Sequence, residues 1–175
     1  MAKKAAAAKP VTESDAGTAS NLIEPGKPAP PFKLNNQHGE LRQLKDFKGS
    51  WLVLYFYPKD DTPGCTTEAC AFRDGMKAFT DRSAIIVGIS PDPEKSHTKF
   101  ATKHNLPFDL LADTEQAMCQ AYGVWQQKSM YGRTYMGVAR TTYLINPAGK
   151  VAFRWDKVKV DGHDKDVLAK LAELQ

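Results

Sequence analysis

The sequence predicts an α/β fold with a mixed central β-sheet and helices on both of its faces. Three observations predict it. Two continuously apolar runs, Trp51 to Tyr57 and Ala84 to Ile89, suit strands covered on both sides. Segments with helical spacing lie between and after them. The chain then closes with a hairpin and a helix, joining a strand–helix–strand–helix half to an antiparallel one. A length of 175 residues gives room for one core and too little for two.

Met1 to about Asn21 is rich in Ala, Lys, Ser and Thr, and its lysines are balanced by Glu13 and Asp15. Residues 1–21 are therefore expected to form a disordered tail. An organelle transit peptide fits less well, because the segment contains acidic residues and lacks arginine. The folded domain is expected over 22–175. Pro28-Ala29-Pro30-Pro31 predicts an extended lead-in, followed by a short hairpin around Asn36 to Gly39. Trp51 to Tyr57 is the first central strand. After a loop rich in Pro, Asp and Gly, the residues Cys65, Ala69, Phe72, Met76 and Phe79 recur at steps of four and three, a helical stripe. Ala84 to Ile89 is the second central strand.

Asp92-Pro93 predicts the next helix start, as N-cap and first-turn proline, with Phe100 and Ala101 facing inward. Phe108 to Leu111 is a short strand. Asp113 to Gln116 reads as a capping box and Gly123 as the helix terminator. Thr141 to Ile145, a turn at Asn146-Pro-Ala-Gly149, and Val151 to Trp155 make the hairpin. The closing helix carries Val167, Leu168, Leu171 and Leu174 on one face. Thioredoxin-like folds have this order of elements.

Composition removes several classes of function. The chain is 42% hydrophobic and 25% charged, ordinary for a soluble globular domain. No apolar run approaches the ~18 residues that span a bilayer. The net charge of +4 is mild, and the basic residues are interspersed with acidic ones, as in Lys45-Asp46-Phe47-Lys48. Nucleic-acid binders gather them on one stripe or helix. Three cysteines cannot all pair within one chain, and the lysines at the start precede no apolar signal region. A reducing compartment, the cytoplasm, is expected, and there cysteines serve catalysis or metal binding more than structure.

The informative segment is Tyr57-Pro-Lys-Asp-Asp-Thr-Pro-Gly-Cys65-Thr-Thr-Glu-Ala-Cys70. It joins the end of a buried strand to the start of a helix, where open α/β sheets place ligands. Thr62 is the predicted N-cap and Pro63 the first helical residue, which puts Cys65 in the first turn. Orphan backbone N–H groups and the positive end of the helix dipole favour a thiolate there, and a thiolate is the attacking species. Taken alone, Cys65 reads better as a small core residue on the stripe with Ala69 and Phe72. Its neighbours decide the matter.

Pro58-x-x-x-Thr62-x-x-Cys65 resembles the peroxiredoxin active-site pattern, and Pro-Gly-Cys-Thr-x-Glu-Ala-Cys is similar to its bacterioferritin-comigratory, or Q, branch. Lys128-Ser-Met-Tyr-Gly132 and Tyr135-Met-Gly-Val-Ala-Arg140-Thr-Thr-Tyr-Leu-Ile-Asn146 resemble that branch too. The resemblance runs from about Leu22 to Gln175. It implies a thioredoxin-like fold and a thiol peroxidase that needs no cofactor or metal. Cys65 would attack hydrogen peroxide or an organic hydroperoxide, giving water or an alcohol. Thr62 and Arg140 would hold the site, Pro58 would shield it, and Cys70 would be the resolving residue. Thioredoxin or a similar dithiol would be the reductant, and the protein a monomer acting in antioxidant defence.

Each implied role has a physical reason. The fixed cation of Arg140 can stabilise a thiolate and the charge that develops as the O–O bond breaks. The Thr62 hydroxyl donates or accepts, so it can orient a peroxide oxygen. Without the resemblance, Arg140 reads as a surface charge at a strand start and Thr62 as a simple helix cap. Cys65 and Cys70 are five residues apart, which in a regular helix separates their Cα atoms by about 8.7 Å. Disulfides need ~4.4–6.8 Å, so pairing requires the first turns to unwind. Cys119 lies beside the Met118/Ala121/Tyr122 stripe and is expected to be a partly buried, inert thiol. A zinc site is disfavoured, because His38, His97, His104 and His163 lie far from the cysteines in sequence. A thioredoxin-type exchanger would need Cys-x-x-Cys, which is absent. A scaffold or chaperone would be indifferent to replacement of Cys65 by serine.

Overall fold

The computed structural model describes residues 21–175, so the expected tail lies, apart from Asn21, outside the described residues. Strands β1 (Lys33–Asn35) and β2 (Leu41–Gln43) form the short hairpin, turned by Asn36, whose Oδ1 accepts the His38 and Glu40 amides. A 3-10 turn, Leu44–Phe47, leads to the central strand β3 (Trp51–Phe56). Helices α1 (Pro63–Asp74) and α2 (Met76–Asp81) follow, then β4 (Ala84–Ser90), α3 (Glu94–His104), β5 (Asp109–Ala112) and the one-turn helix α4 (Ala117–Ala121). Strands β6 (Trp125–Met130) and β7 (Arg133–Val138) make a second hairpin. Strands β8 (Thr141–Ile145) and β9 (Val151–Trp155) and helix α5 (His163–Leu174) complete the chain.

The five-stranded sheet has the order β9-β8-β3-β4-β5. Strands β3, β4 and β5 run parallel, while β8 is antiparallel to both β3 and β9. This is the expected mixed sheet of a thioredoxin-like fold. Alternation along β3 sends Leu52, Leu54 and Phe56 to one face and Val53 and Tyr55 to the other. The first face packs on Phe32, Phe47, Met118, Cys119 and Tyr122. The second packs on α1, α2, α3 and α5 through Ala69, Phe72, Phe79, Phe100, Val167 and Leu171. Because β3 is covered on both sides, its residues from Leu52 onward are buried, which is why the sequence shows no alternation there.

Local details differ from expectation at five places. The stripe from Cys65 to Phe79 is carried by two helices, because the chain breaks at Gly75 (φ −89°, ψ 4°). The N-cap of α3 is Pro93; Asp92 instead accepts the Asp60 amide and the Ser90 hydroxyl. There is no capping box at Asp113. Gln116 is left-handed (φ 58°), and the Asp113 carboxylate reaches past it to accept the Met118 and Cys119 amides. In that single turn Cys119 is fully buried while Ala121 is exposed, since one turn is too short for a stripe to govern it. Leu174 is 41% exposed, as the last turn of α5 runs beyond the core. Gly123 does terminate α4, with φ 75°, and the Asn21 carbonyl sits where any Cβ would be.

Candidate active site

The loop after β3 is held rigidly from below. The Tyr57 hydroxyl donates to Asp60 Oδ1 (2.6 Å), and Asp60 Oδ2 pairs with the Ser96 hydroxyl and His97 Nδ1, both at 2.7 Å. His97 Nε2 lies 2.9 Å from the Leu111 carbonyl oxygen and so donates to it. With that ring nitrogen committed, His97 ties α3, β5 and the loop together. Asp61 adopts φ 59° and pairs with Lys103 (2.8 Å) and His104 (3.2 Å), which keep its carboxyl below the usual carboxylate range. The chain is thereby delivered to Thr62, which has N-cap backbone angles, and Pro63 begins α1.

Cys65 stands in the first turn of α1 and is 1% exposed. Its sulfur receives Arg140 Nη2 at 3.4 Å. Arg140 lies in the link between β7 and β8 and also donates Nη1 to Glu68 Oε1 at 2.7 Å. Glu68 is one turn beyond Cys65 on the same face and is buried. Burial pushes its carboxyl up to about 7, and the pull of Arg140 in the other direction offsets only part of that. The Arg140 guanidinium is in turn raised, despite its own burial, by the Glu68 and Cys65 charges. Gly64 leaves room for this contact, because a Cβ there would stand 3.2 Å from Arg140 Nη2.

Of the residues singled out in the sequence, the fold brings Cys65 and Arg140 into contact. Thr62 is adjacent, with its Oγ1 donating to the Lys59 carbonyl (2.9 Å) rather than to its own helix. Pro58 is half-buried at the loop's start. Cys70 is half-buried farther along α1, and all three cysteines are free. Cys119 belongs to the core on the opposite face of the sheet, where burial and the nearby Asp113 carboxylate push its thiol far up.

Sequence reasoning did not single out Glu68, Tyr55 or the Asp60–His97 anchor. The three-residue gap from Cys65 to Glu68 signals a shared helix face, but only the fold shows a guanidinium there. The Tyr55 hydroxyl and Glu68 Oε2 are buried without a hydrogen-bond partner on this side of the sheet. Tyr55 is raised well above an ordinary phenol, first by burial and then by the Glu68 and Cys65 charges. Together the arrangement is a buried thiol at a helix start, a bidentate cation beside it, and a rigid loop on its open side.

Known proteins resemble this chain over most of its length. Residues 25–154 match the family model described as AhpC/TSA family. The chain is 49% identical to Peroxiredoxin Bcp of Bacillus subtilis over 152 residues, covering 87% of this chain and 97% of that protein. It is 48% identical to the putative peroxiredoxin bcp of Coxiella burnetii, covering 85% and 99% of the two. Among solved structures, a cysteine-to-serine mutant of Xylella fastidiosa PrxQ superposes with a TM-score of 0.83 at 35% identity, over 87% of this chain and 98% of that one. A structure of the Xanthomonas campestris bacterioferritin comigratory protein, studied for alkyl peroxide reduction, gives 0.78 at 42% identity, over 81% and 90%.

Proposed function

We infer that this chain, which belongs to the AhpC/TSA family and is a thiol-dependent peroxidase of the peroxiredoxin kind, reduces hydroperoxides with Cys65 as its nucleophile. The observation that carries this reading is the 3.4 Å contact of Arg140 Nη2 with Cys65 Sγ in the first turn of α1. The Cys65 thiolate attacks one peroxide oxygen, the O–O bond breaks, and the departing oxygen leaves as hydroxide or alkoxide and takes up a proton. Arg140 stabilises the thiolate before attack and the negative oxygen during it. Thr62 orients the peroxide, and Pro58 limits the access of water. Cys65 is left as a sulfenic acid.

Cys70 resolves that intermediate: its thiol attacks the Cys65 sulfur, a disulfide forms, and water leaves. Cys119 is poorly suited to this step, because it lies in the core on the far side of the sheet. A dithiol protein such as thioredoxin then reduces the disulfide by exchange. We place the enzyme in the cytoplasm as a monomer; among the described residues no helix is long and apolar enough to cross a membrane. One equivalent of hydrogen peroxide, followed by peptide mass analysis, should oxidise Cys65 first and then join it to Cys70. Oxidation of Cys119 with Cys65 untouched, or a disulfide between Cys65 and Cys119, would overturn this reading. Turnover with a thioredoxin system tests the reductant separately.

A further inference from the structure

Lys128 stands in β6, and the site as described gives it no task. Its Nζ donates to the Val138 carbonyl (2.9 Å), two residues before Arg140. The hairpin makes room for this reach. Lys128 pairs with Tyr135 across the ladder, and at Gly137 a Cβ would stand 3.0 Å from Lys128 Cδ. The lysine stem therefore lies flat over a position without a side chain, and the ammonium sits where the hairpin ends and Arg140 begins.

The charges around Cys65 leave a second cation to be supplied. Arg140 divides its two nitrogens between the Glu68 carboxyl and the Cys65 sulfur. One cation thus serves two acid groups whenever both are ionised. Cys65 touches Arg140 and shares a helix face with Glu68, while Lys128 of β6 and the Tyr55 phenol of β3 act on it electrostatically from farther off. At the next remove, Asp60 acts on Tyr55, and His163 of α5 feels Arg140. Lys128 is the one cation among them besides Arg140. Burial holds its ammonium below the ordinary lysine range, with Arg140 pulling the same way and Cys65 opposing.

We propose that Lys128 is a positioning residue of the Cys65 site: its ammonium, tied to the Val138 carbonyl, supplies the second positive charge for the thiolate and fixes the backbone that presents Arg140. This rests on the reading of Cys65 as the nucleophile. Removing the charge then disfavours the thiolate, which a purely structural role would not do.

The test compares the full-length protein with Lys128→Met, Lys128→Gln and Lys128→Arg. The readouts are the rate of Cys65 alkylation by iodoacetamide and the single-turnover rate with hydrogen peroxide, from pH 5 to pH 9. The Met variant should move both profiles to higher pH, slowing the reaction roughly three- to tenfold on the acid side, as a shift of about half to one pH unit does. Its alkylation rate should rejoin that of the parent protein in alkali. The Arg variant should stay near the parent, and the Gln variant, uncharged but still a donor, should follow Met. The Gln arm also decides the matter if the Met variant does not fold. A uniform loss at every pH, or no change, would overturn the proposal. If peroxide leaves Cys65 of the parent protein unoxidised, the reading of the nucleophile fails instead.

Discussion

At the scale of single residues, Arg140 is shared between the Glu68 carboxyl and the Cys65 sulfur that we propose attacks peroxide. Arg140→Ala should slow single-turnover reaction with peroxide far more than it lowers unfolding stability, because the charge acts in the transition state. Arg140→Lys should be impaired as well, since an ammonium cannot serve two partners from one planar fork. A lysine variant with full peroxide reactivity would show that bulk charge suffices. Cys119→Ser should leave peroxide reactivity intact. The sequence made the helix-start place of Cys65 legible through Thr62-Pro63, whereas its role came from the resemblance, as did that of Arg140 in a motif 75 residues further on. Glu68 was not legible, because its importance lies in a partner 72 residues distant.

At the scale of elements, the proposed Cys65–Cys70 disulfide requires α1 to adopt two geometries. In the structure Cys65 and Cys70 sit on one uninterrupted helix from Pro63 to Asp74. Its ideal geometry keeps their Cα atoms about 8.7 Å apart, beyond a disulfide's reach. The N-terminal end is lightly secured, for Thr62 makes no side-chain cap and the first turn carries no acidic residue. Farther on, Phe72 anchors the helix against Tyr55 (ring centroids 4.9 Å) and Phe79 (5.9 Å). Oxidation should therefore open the helix from its start to about Cys70 and leave the Phe72 end in place. Hydrogen exchange should report lost protection at the amides of 65–70, with β3 unchanged. Pairing of the two cysteines without that loss would refute the unwinding. Cys70→Ser should permit the first oxidation of Cys65 but stop turnover and favour overoxidation to the sulfinic acid.

At the scale of the whole molecule, two buried groups on the catalytic face oppose each other in the pH dependence of folding. Glu68 is raised from 4.5 to about 7. It remains protonated in the native state at pH values where the unfolded chain has ionised, so its contribution to stability is lost as pH rises from 4.5 to about 7. His163 is lowered by burial from 6.5 to about 4, and the unfolded chain binds its proton first. Its contribution is therefore lost as pH falls from 6.5 to about 4. The two slopes largely cancel between pH 5 and 6 in the intact protein. Denaturant unfolding of Glu68→Gln should show stability rising with pH across that interval, and His163→Asn should show it falling. Parallel curves for both variants would contradict the assignment. Phe72→Ala should cost about 3–5 kcal/mol, the penalty for a large buried ring.

The sequence by itself determined the order of elements, the doubly covered central strands, the helix that starts at Pro63 and the place of a cysteine in its first turn. These are local matters: burial on both faces shows as an unbroken apolar run, and a helix start shows in Thr-Pro chemistry. It also carried, in the Lys128-Ser-Met-Tyr-Gly132 motif, a lysine whose purpose it could not explain. Tertiary structure alone decided that Arg140 reaches both Cys65 and Glu68, and that Gly75 divides the long stripe into two helices. It also placed Cys119 beneath the opposite face of the sheet, away from the residue it would need to meet. Periodicity reports which way a side chain faces relative to its near neighbours. Which distant segment packs against that face, and how much water it removes from a carboxyl or a thiol, depends on how the sheet brings separated strands side by side.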